Sequence, residues 1–200
     1  MSPREQLRAD LLRYTTRHPH ELSVAERIVR LIDDRADCAS RTCEPGHLTG
    51  SAWVVSRDGQ RHLLMLHAKL RKWLQPGGHA DGDWALARVA LREAAEETGL
   101  EGLELVADGA GFLPLDIDVH TIPARSDKRT GAVEPAHEHH DIRFLVRASG
   151  ADTLRQNRES NELRWCTADE VRRLTAETSV LRLLEKAERR LAGRAERALH

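Results

Sequence analysis

Glu93, Glu96 and Glu97 stand at positions i, i+3 and i+4 of a segment, Asp83 to Thr98, that reads as a strong helix, so three carboxylates converge on one helical face. Their mutual repulsion is costly unless cations sit among them. Hard divalent ions with oxygen ligands, Mg²⁺ or Mn²⁺, suit such a face. Taken alone, the three would describe a solvated acidic surface on which Arg92 pairs with Glu96 one turn on. Two neighbours shift that reading. Pro76-Gly77-Gly78 lies just upstream, where missing side chains let backbone groups come close to bound metals, and Gly99 ends the helix.

A second group is rich in imidazole. Of eleven histidines, His79 directly follows the double glycine, and His120, His137, His139 and His140 lie with Asp118 and Asp141 in or beside apparent strands. Histidine and aspartate at these spacings suit another metal or a phosphate. Alternatively, they simply hydrogen-bond carboxylates on a sheet surface, as His140 is placed to do. Cys38, Cys43 and the nearby His47 offer three ligands where a closed zinc site takes four, so buried, reduced thiols are the expectation. Trp53 and Trp73 read as core aromatics in preference to platforms for a base.

The elements that position these groups follow from pattern. Ser2-Pro3-Arg4-Glu5 has capping-box spacing and opens a helix with Leu7, Leu11, Leu12 and Tyr14 on one side. His18-Pro19-His20 stops it, and Ser23 with Glu26 repeats the box before a second helix. From about residue 50 the period changes. Residues 51–56 and 62–68 form a hairpin around Asp58-Gly59, and 103–107, 112–122 and 138–148 read as strands, with a long loop over 123–136. Residues 163–166 give a last strand, Thr167 with Glu170 caps a short helix, and 179–197 is a final amphipathic helix whose arginines face water. The class is α+β, with the division expected at 1–48, a helical extension packed on the main domain, and 49–200.

Composition sets the outer limits. The 31 lysines and arginines nearly cancel 32 aspartates and glutamates, which removes the clustered positive field that nucleic acid or an anionic membrane would require. No apolar run is long enough to span a bilayer, the first residues are not signal-like, and three cysteines are too few for a disulfide framework. A cytoplasmic protein acting on small molecules is the expectation.

Counted from Gly78, the chain places Arg92, Glu93, Glu96, Glu97, Gly99 and Leu100 where the box of the Nudix hydrolases has its Gly, Arg-Glu, Glu-Glu and Gly-aliphatic positions. The segment therefore resembles that family. Two positions depart from it: Ala94 replaces a bulky aliphatic, and Trp84 stands where the first glutamate belongs. Gly82-Asp83 resembles a Gly-Glu pair displaced by one residue, with Asp83 expected to cap the helix. The likeness extends over 46–166, well over half the chain, through GHLTGSAWVVS, KWLQPGGHADGD, DIDVHTIPA, HEHHDIRF and ESNELRW, and looks like a bacterial group of the family with an N-terminal helical extension.

What the resemblance implies is a Nudix-type α-β-α sandwich with a mixed sheet and an N-terminal helical pair. It also implies metal-dependent hydrolysis of a pyrophosphate bond, in a nucleoside diphosphate linked to another moiety or a related diphosphate. Glu93, Glu96, Glu97 and the Gly78 carbonyl would hold Mg²⁺ or Mn²⁺, and Arg92 would position a neighbouring glutamate. Either Glu93 or a glutamate before the last strand, Glu159 ahead of Glu162, would activate the water. His79, His137 and His139 would contact substrate. A homodimer is a family expectation. The alternative is a nucleotide-binding or regulatory module with weak or no catalysis, which Trp84 favours.

Overall fold

The structure, a computed structural model, describes residues 1–108, 111–126, 133–157 and 160–198. Two N-terminal helices, α1 (Pro3–Arg17) and α2 (Leu22–Asp34), precede β1 (Gly46–Val55) and β2 (His62–His67). The short β3 (Trp73–Leu74) and β4 (Gly77–His79) lead to α3 (Leu86–Thr98). After β5 (Leu103–Leu105) come β6 (Asp116–Ile122), the small pair β7 (Arg125–Ser126) and β8 (Val133–Glu134), and then β9 (His137–Ala148). The chain closes with β10 (Ser160–Cys166), α4 (Ala168–Leu174) and α5 (Thr178–Ala198).

The main sheet runs β10-β2-β1-β9-β5, with β3 beside β2, β4 beside β1 and β6 beside β9. It is mixed, because β1 and β9 are parallel while the other pairs are antiparallel. Both central strands alternate two apolar faces, as a sheet covered on both sides requires. Leu48, Ala52, Val54, Ile142, Phe144 and Val146 join α1, α2 and α3 in one core, whereas Trp53, Val55 and Leu145 join Val171, Val180, Leu183, Leu184 and Ala187 of α4 and α5 in another. The result is the expected layered α+β sandwich with an N-terminal helical pair. β1 begins at Gly46, so the first strand runs across the 48/49 division.

Local signals set several boundaries. The capping boxes at Ser2–Glu5 and Thr167–Glu170 both form, and Gly99 ends α3 in the left-handed region at φ 69°. Two expected caps do not form. A 3-10 turn over Pro19–Glu21 carries the chain into α2, which starts at Leu22 without a side-chain cap, so Ser23 lies inside the helix. Asp83 is not the cap of α3 either. Its carboxylate accepts from the Ala85 amide (2.8 Å) and pairs with Arg88 (2.6 Å), holding the turn before a helix that begins three residues later than expected.

Two of the C-terminal arginines, Arg182 and Arg190, depart from expectation, while Arg189 and Arg194 stay exposed. Arg182 reaches Asp116 and Asp118 at 2.9 Å, Arg190 is buried and donates to the Leu113 and Pro114 carbonyls, and Arg194 donates to the Ala107 carbonyl. These cations lock α5 onto β6 and the segment before it, and the largely buried Arg190 is tolerated because carbonyls satisfy its guanidinium. The three cysteines are free and buried, and burial pushes the Cys38 and Cys166 thiols up to about 11, so they stay protonated. Trp53 is core, donating to His62 Nδ1 at 3.0 Å, and Trp73 is half-buried with Arg164 over its ring.

Candidate active site

Polar residues of β1, β9 and β6 line up in three rungs across one face of the sheet, because strand register places every second residue there. The rungs are Ser51–Arg143–Asp116, Thr49–Asp141–Asp118 and His47–His139–His120. β4 pairs with β1 at the same level, Thr49 opposite His79 and Ser51 opposite Gly77, and thereby brings the glycine pair and His79 onto this face. A cleft of about 960 Å³ opens over these strands, lined by Gly77, Gly78, His79, Arg92, Glu93, Glu96, His137, His139 and Asp141 among others.

The carboxylates of α3 meet β4. Glu97, only 2% exposed, accepts a hydrogen bond from the Gly77 amide at 2.9 Å, and a Cβ at Gly78 would overlap the Glu93 carboxylate. Gly78 is therefore glycine because the acid must approach the strand. Arg92 donates to Glu93 at 2.6 Å and to the His79 carbonyl at 3.0 Å, with Glu96 farther off at 4.0 Å, and the Glu93 bond holds the guanidinium firmly protonated. Glu96 remains largely exposed at the cleft. The structure thus assembles Gly78, Arg92, Glu93, Glu96 and Glu97 in one place.

Trp84 has another occupation. It packs against the helical core with the Arg4 guanidinium 5.5 Å from its ring, tying the approach to α3 to the N-terminal extension, and it does not line the cleft. Glu159 lies outside the described residues. Glu162 pairs with Arg164 on the exposed side of β10 at 2.5 Å, as a surface charge does.

The predicted imidazoles divide in two. His79, His137 and His139 come together at the cleft with His47 and His120, ring centroids 4.8–5.5 Å apart between contacting pairs. His140 points elsewhere, to Glu138 at 3.2 Å. Sequence reading grouped His47 with the cysteines and passed over Thr49, Ser51, Asp116 and Arg143. The signal was present in the alternation of Asp116 with Asp118 and of His137, His139, Asp141 and Arg143, a period of two that marks one polar strand face.

Beside the histidines, Arg143 is 3% exposed and bonds Asp141 (2.7 Å), Asp116 (3.0 Å) and Asp118 (3.0 Å). Asp141 also accepts from Thr49 and Ser51 at 2.9 Å. Burial alone would raise the pKa of Asp116 and Asp118. The opposing guanidinium groups of Arg143 and Arg182, with Lys186 at Asp116 and a His120 hydrogen bond at Asp118, hold both well below the usual carboxylate range.

The NUDIX domain model matches residues 47–186. The chain belongs to the Nudix family. As a Nudix-type hydrolase it acts on phosphoanhydride bonds. Among solved structures it is similar to a Nudix-family hydrolase from Clostridium perfringens (22% identity over 71% of this chain and 96% of that one, TM-score 0.54). It is also similar to a C. elegans Ap4A hydrolase in a binary complex (19% identity, 73% and 98%, TM-score 0.51). A third likeness is to the E. coli dihydroneopterin triphosphate pyrophosphohydrolase (16% identity, 70% and 92%, TM-score 0.51). At these identities the likeness is one of fold. No helix among the described residues of this Nudix protein is long and apolar enough to cross a membrane.

Proposed function

We propose that this Nudix protein hydrolyses a pyrophosphate bond in a nucleoside diphosphate linked to another moiety, or a related small diphosphate, with Mg²⁺ or Mn²⁺ bound by Glu93, Glu96, Glu97 and the Gly78 carbonyl. The observation that carries the reading is the seating of the Glu93 and Glu97 carboxylates against Gly77 and Gly78. The donor set fits hard cations, being all oxygen, clustered and beside a backbone that no side chain obstructs.

A bound divalent ion neutralises diphosphate charge and makes water more acidic. The chain does the rest. Arg92 fixes the Glu93 carboxylate, and the Gly77 amide fixes that of Glu97, so neither has to reorganise when substrate arrives. Arg41, Lys69 and Arg125 line the cleft as cationic partners for phosphate oxygens, with His79, His137 and His139 as further contacts. Water oxygen bonds to phosphorus, the bridging P–O bond breaks, and the water proton passes to a carboxylate, Glu159 or Glu93. Packing of Trp84 outside the cleft weighs against the binding-module alternative, since the replacement serves the extension and leaves the other box acids in place.

The test is turnover of nucleoside triphosphates, nucleotide sugars, ADP-ribose, dinucleoside polyphosphates and non-nucleotide diphosphates with Mg²⁺ or Mn²⁺. Glu97→Gln is expected to lower turnover of the best substrate by about 100-fold or more with the fold intact by circular dichroism. Unchanged turnover and metal dependence in Glu97→Gln would reject the metal assignment. Tight binding of one compound without hydrolysis would favour the binding module.

A further inference from the structure

Outside the carboxylate cluster, the His47–His139–His120 rung has a chemistry of its own. His47 is 2% exposed, and among the described residues neither of its ring nitrogens has a hydrogen-bond partner; nor does the buried Nε2 of His139. A buried imidazole left unsatisfied costs free energy, and native interiors leave few such groups without a reason. His79 arrives from β4, and ligand nitrogens of His47, His79 and His139 all lie within 4.8 Å of one another. The neighbours are otherwise engaged: His120 Nδ1 contacts Asp118 at 3.1 Å and His137 Nδ1 the Pro135 carbonyl at 3.0 Å.

We propose that His47, His79 and His139 form a binding site for a divalent transition-metal ion of the zinc type, distinct from the oxygen-ligand site on α3, with its remaining coordination position open to the cleft. Three neutral imidazoles are a borderline-soft set that suits Zn²⁺ and disfavours Mg²⁺. Three protein ligands with an open fourth position also match zinc sites that take water or a substrate oxygen. Burial first, and then the neighbouring histidines, push His47 down to about 4 and His139 to about 2, so both rings are deprotonated and ready to donate at neutral pH. A Cys43 backbone group near the ring, outside hydrogen-bond geometry, opposes the His47 shift only in part. Metal–nitrogen bonds of about 2.0–2.1 Å in a tetrahedron need nitrogens about 3.3 Å apart, a closure of no more than about 1.5 Å from the present spacing.

All three ligands sit on strands in register, His47 opposite His139 and His79 one rung along, so the site is held by the sheet itself. Its cation would stand at the end of the cleft beyond Gly78, where a substrate oxygen or a water completes it. This inference goes beyond the proposed hydrolysis and holds even if the carboxylate assignment fails.

The experiment is elemental analysis of full-length protein, purified without a histidine tag, dialysed, loaded with Zn²⁺ alone and desalted. A chelator-competition titration then gives the affinity. The expected result is about one zinc per chain, retained in Glu97→Gln and lost in a His47→Asn, His139→Gln variant whose circular dichroism is unchanged. A Co²⁺-loaded sample should show the intense d–d absorption of a four-coordinate site with three nitrogen ligands. Three results would each overturn the proposal: no retained zinc in the wild-type protein, zinc retained in the double histidine variant, or zinc lost instead from His18→Ala, His20→Ala. The last pair belongs to a second close ligand group among the described residues, His18, His20 and Glu21. If the double histidine variant does not fold, His79→Asn, which replaces the ligand on β4, serves in its place and should lose zinc in the same way.

Discussion

The three rungs of one sheet face handle buried polarity in opposite ways, two against one. In the Asp116–Arg143 and Asp118–Asp141 rungs every charge has a partner: one guanidinium reaches three carboxylates, and Arg182 and Lys186 complete the set from α5. In the His47–His139 rung, a few ångströms along the same strands, buried nitrogens have none. The first pattern is architecture, since desolvated charges persist only inside such a network. The second is what a face looks like where a ligand supplies the missing partner.

The contrast can be broken by substitution. Arg143→Met leaves three acids around an empty centre and should cost the most, about 3–5 kcal/mol by urea denaturation, whereas a loss below 1 kcal/mol would mean the network is solvated or rearranges freely. Acid comes next. His62 is pushed down to about 4 by burial, so its contribution to stability is complete above the unfolded value of about 6.5 and shrinks as pH falls toward the folded one. The lowered Asp116 and Asp118 are fully stabilising above about 4 and lose their contribution below it. Melting temperature should therefore decline gently below about pH 6.5 and steeply below about pH 4, and a flat acid limb would contradict both environments. The smallest effect is expected at the other rung. In EDTA, His47→Leu should change stability by no more than about 1 kcal/mol in either direction, because no hydrogen bond is lost. A loss as large as that of Arg143→Met would show that His47 has partners after all.

What was legible in the sequence was local or periodic. The caps at Ser2 and Thr167, the stop at Gly99 and the convergence of Glu93, Glu96 and Glu97 depend on residues a few positions apart. Starts of α2 and α3 were misplaced because tertiary packing outweighed nearby cap-like residues, Ser23 in one case and Asp83 in the other. The inward turn of Arg182 and Arg190 and the joining of His47 to His79 and His139 depend on which strands and helices become neighbours. Spacing along one chain does not encode that pairing.

Lys186 illustrates what such distant neighbours entail. Its ammonium bonds the Tyr14 hydroxyl (2.7 Å), Glu21 (2.5 Å) and Asp116 (2.6 Å), joining α5 to the first helix across more than 160 residues. While the chain is being synthesised, Glu21 exists long before Lys186, the cation that neutralises it. Contacts of such sequence separation slow folding, because a large loop must close before they can form. The first helices can collapse early on their apolar faces, but full burial of Glu21 waits for the ammonium carried by α5. Lys186 thus ties the burial of Glu21 to the arrival of α5, a form of timing written into the order of residues along the chain.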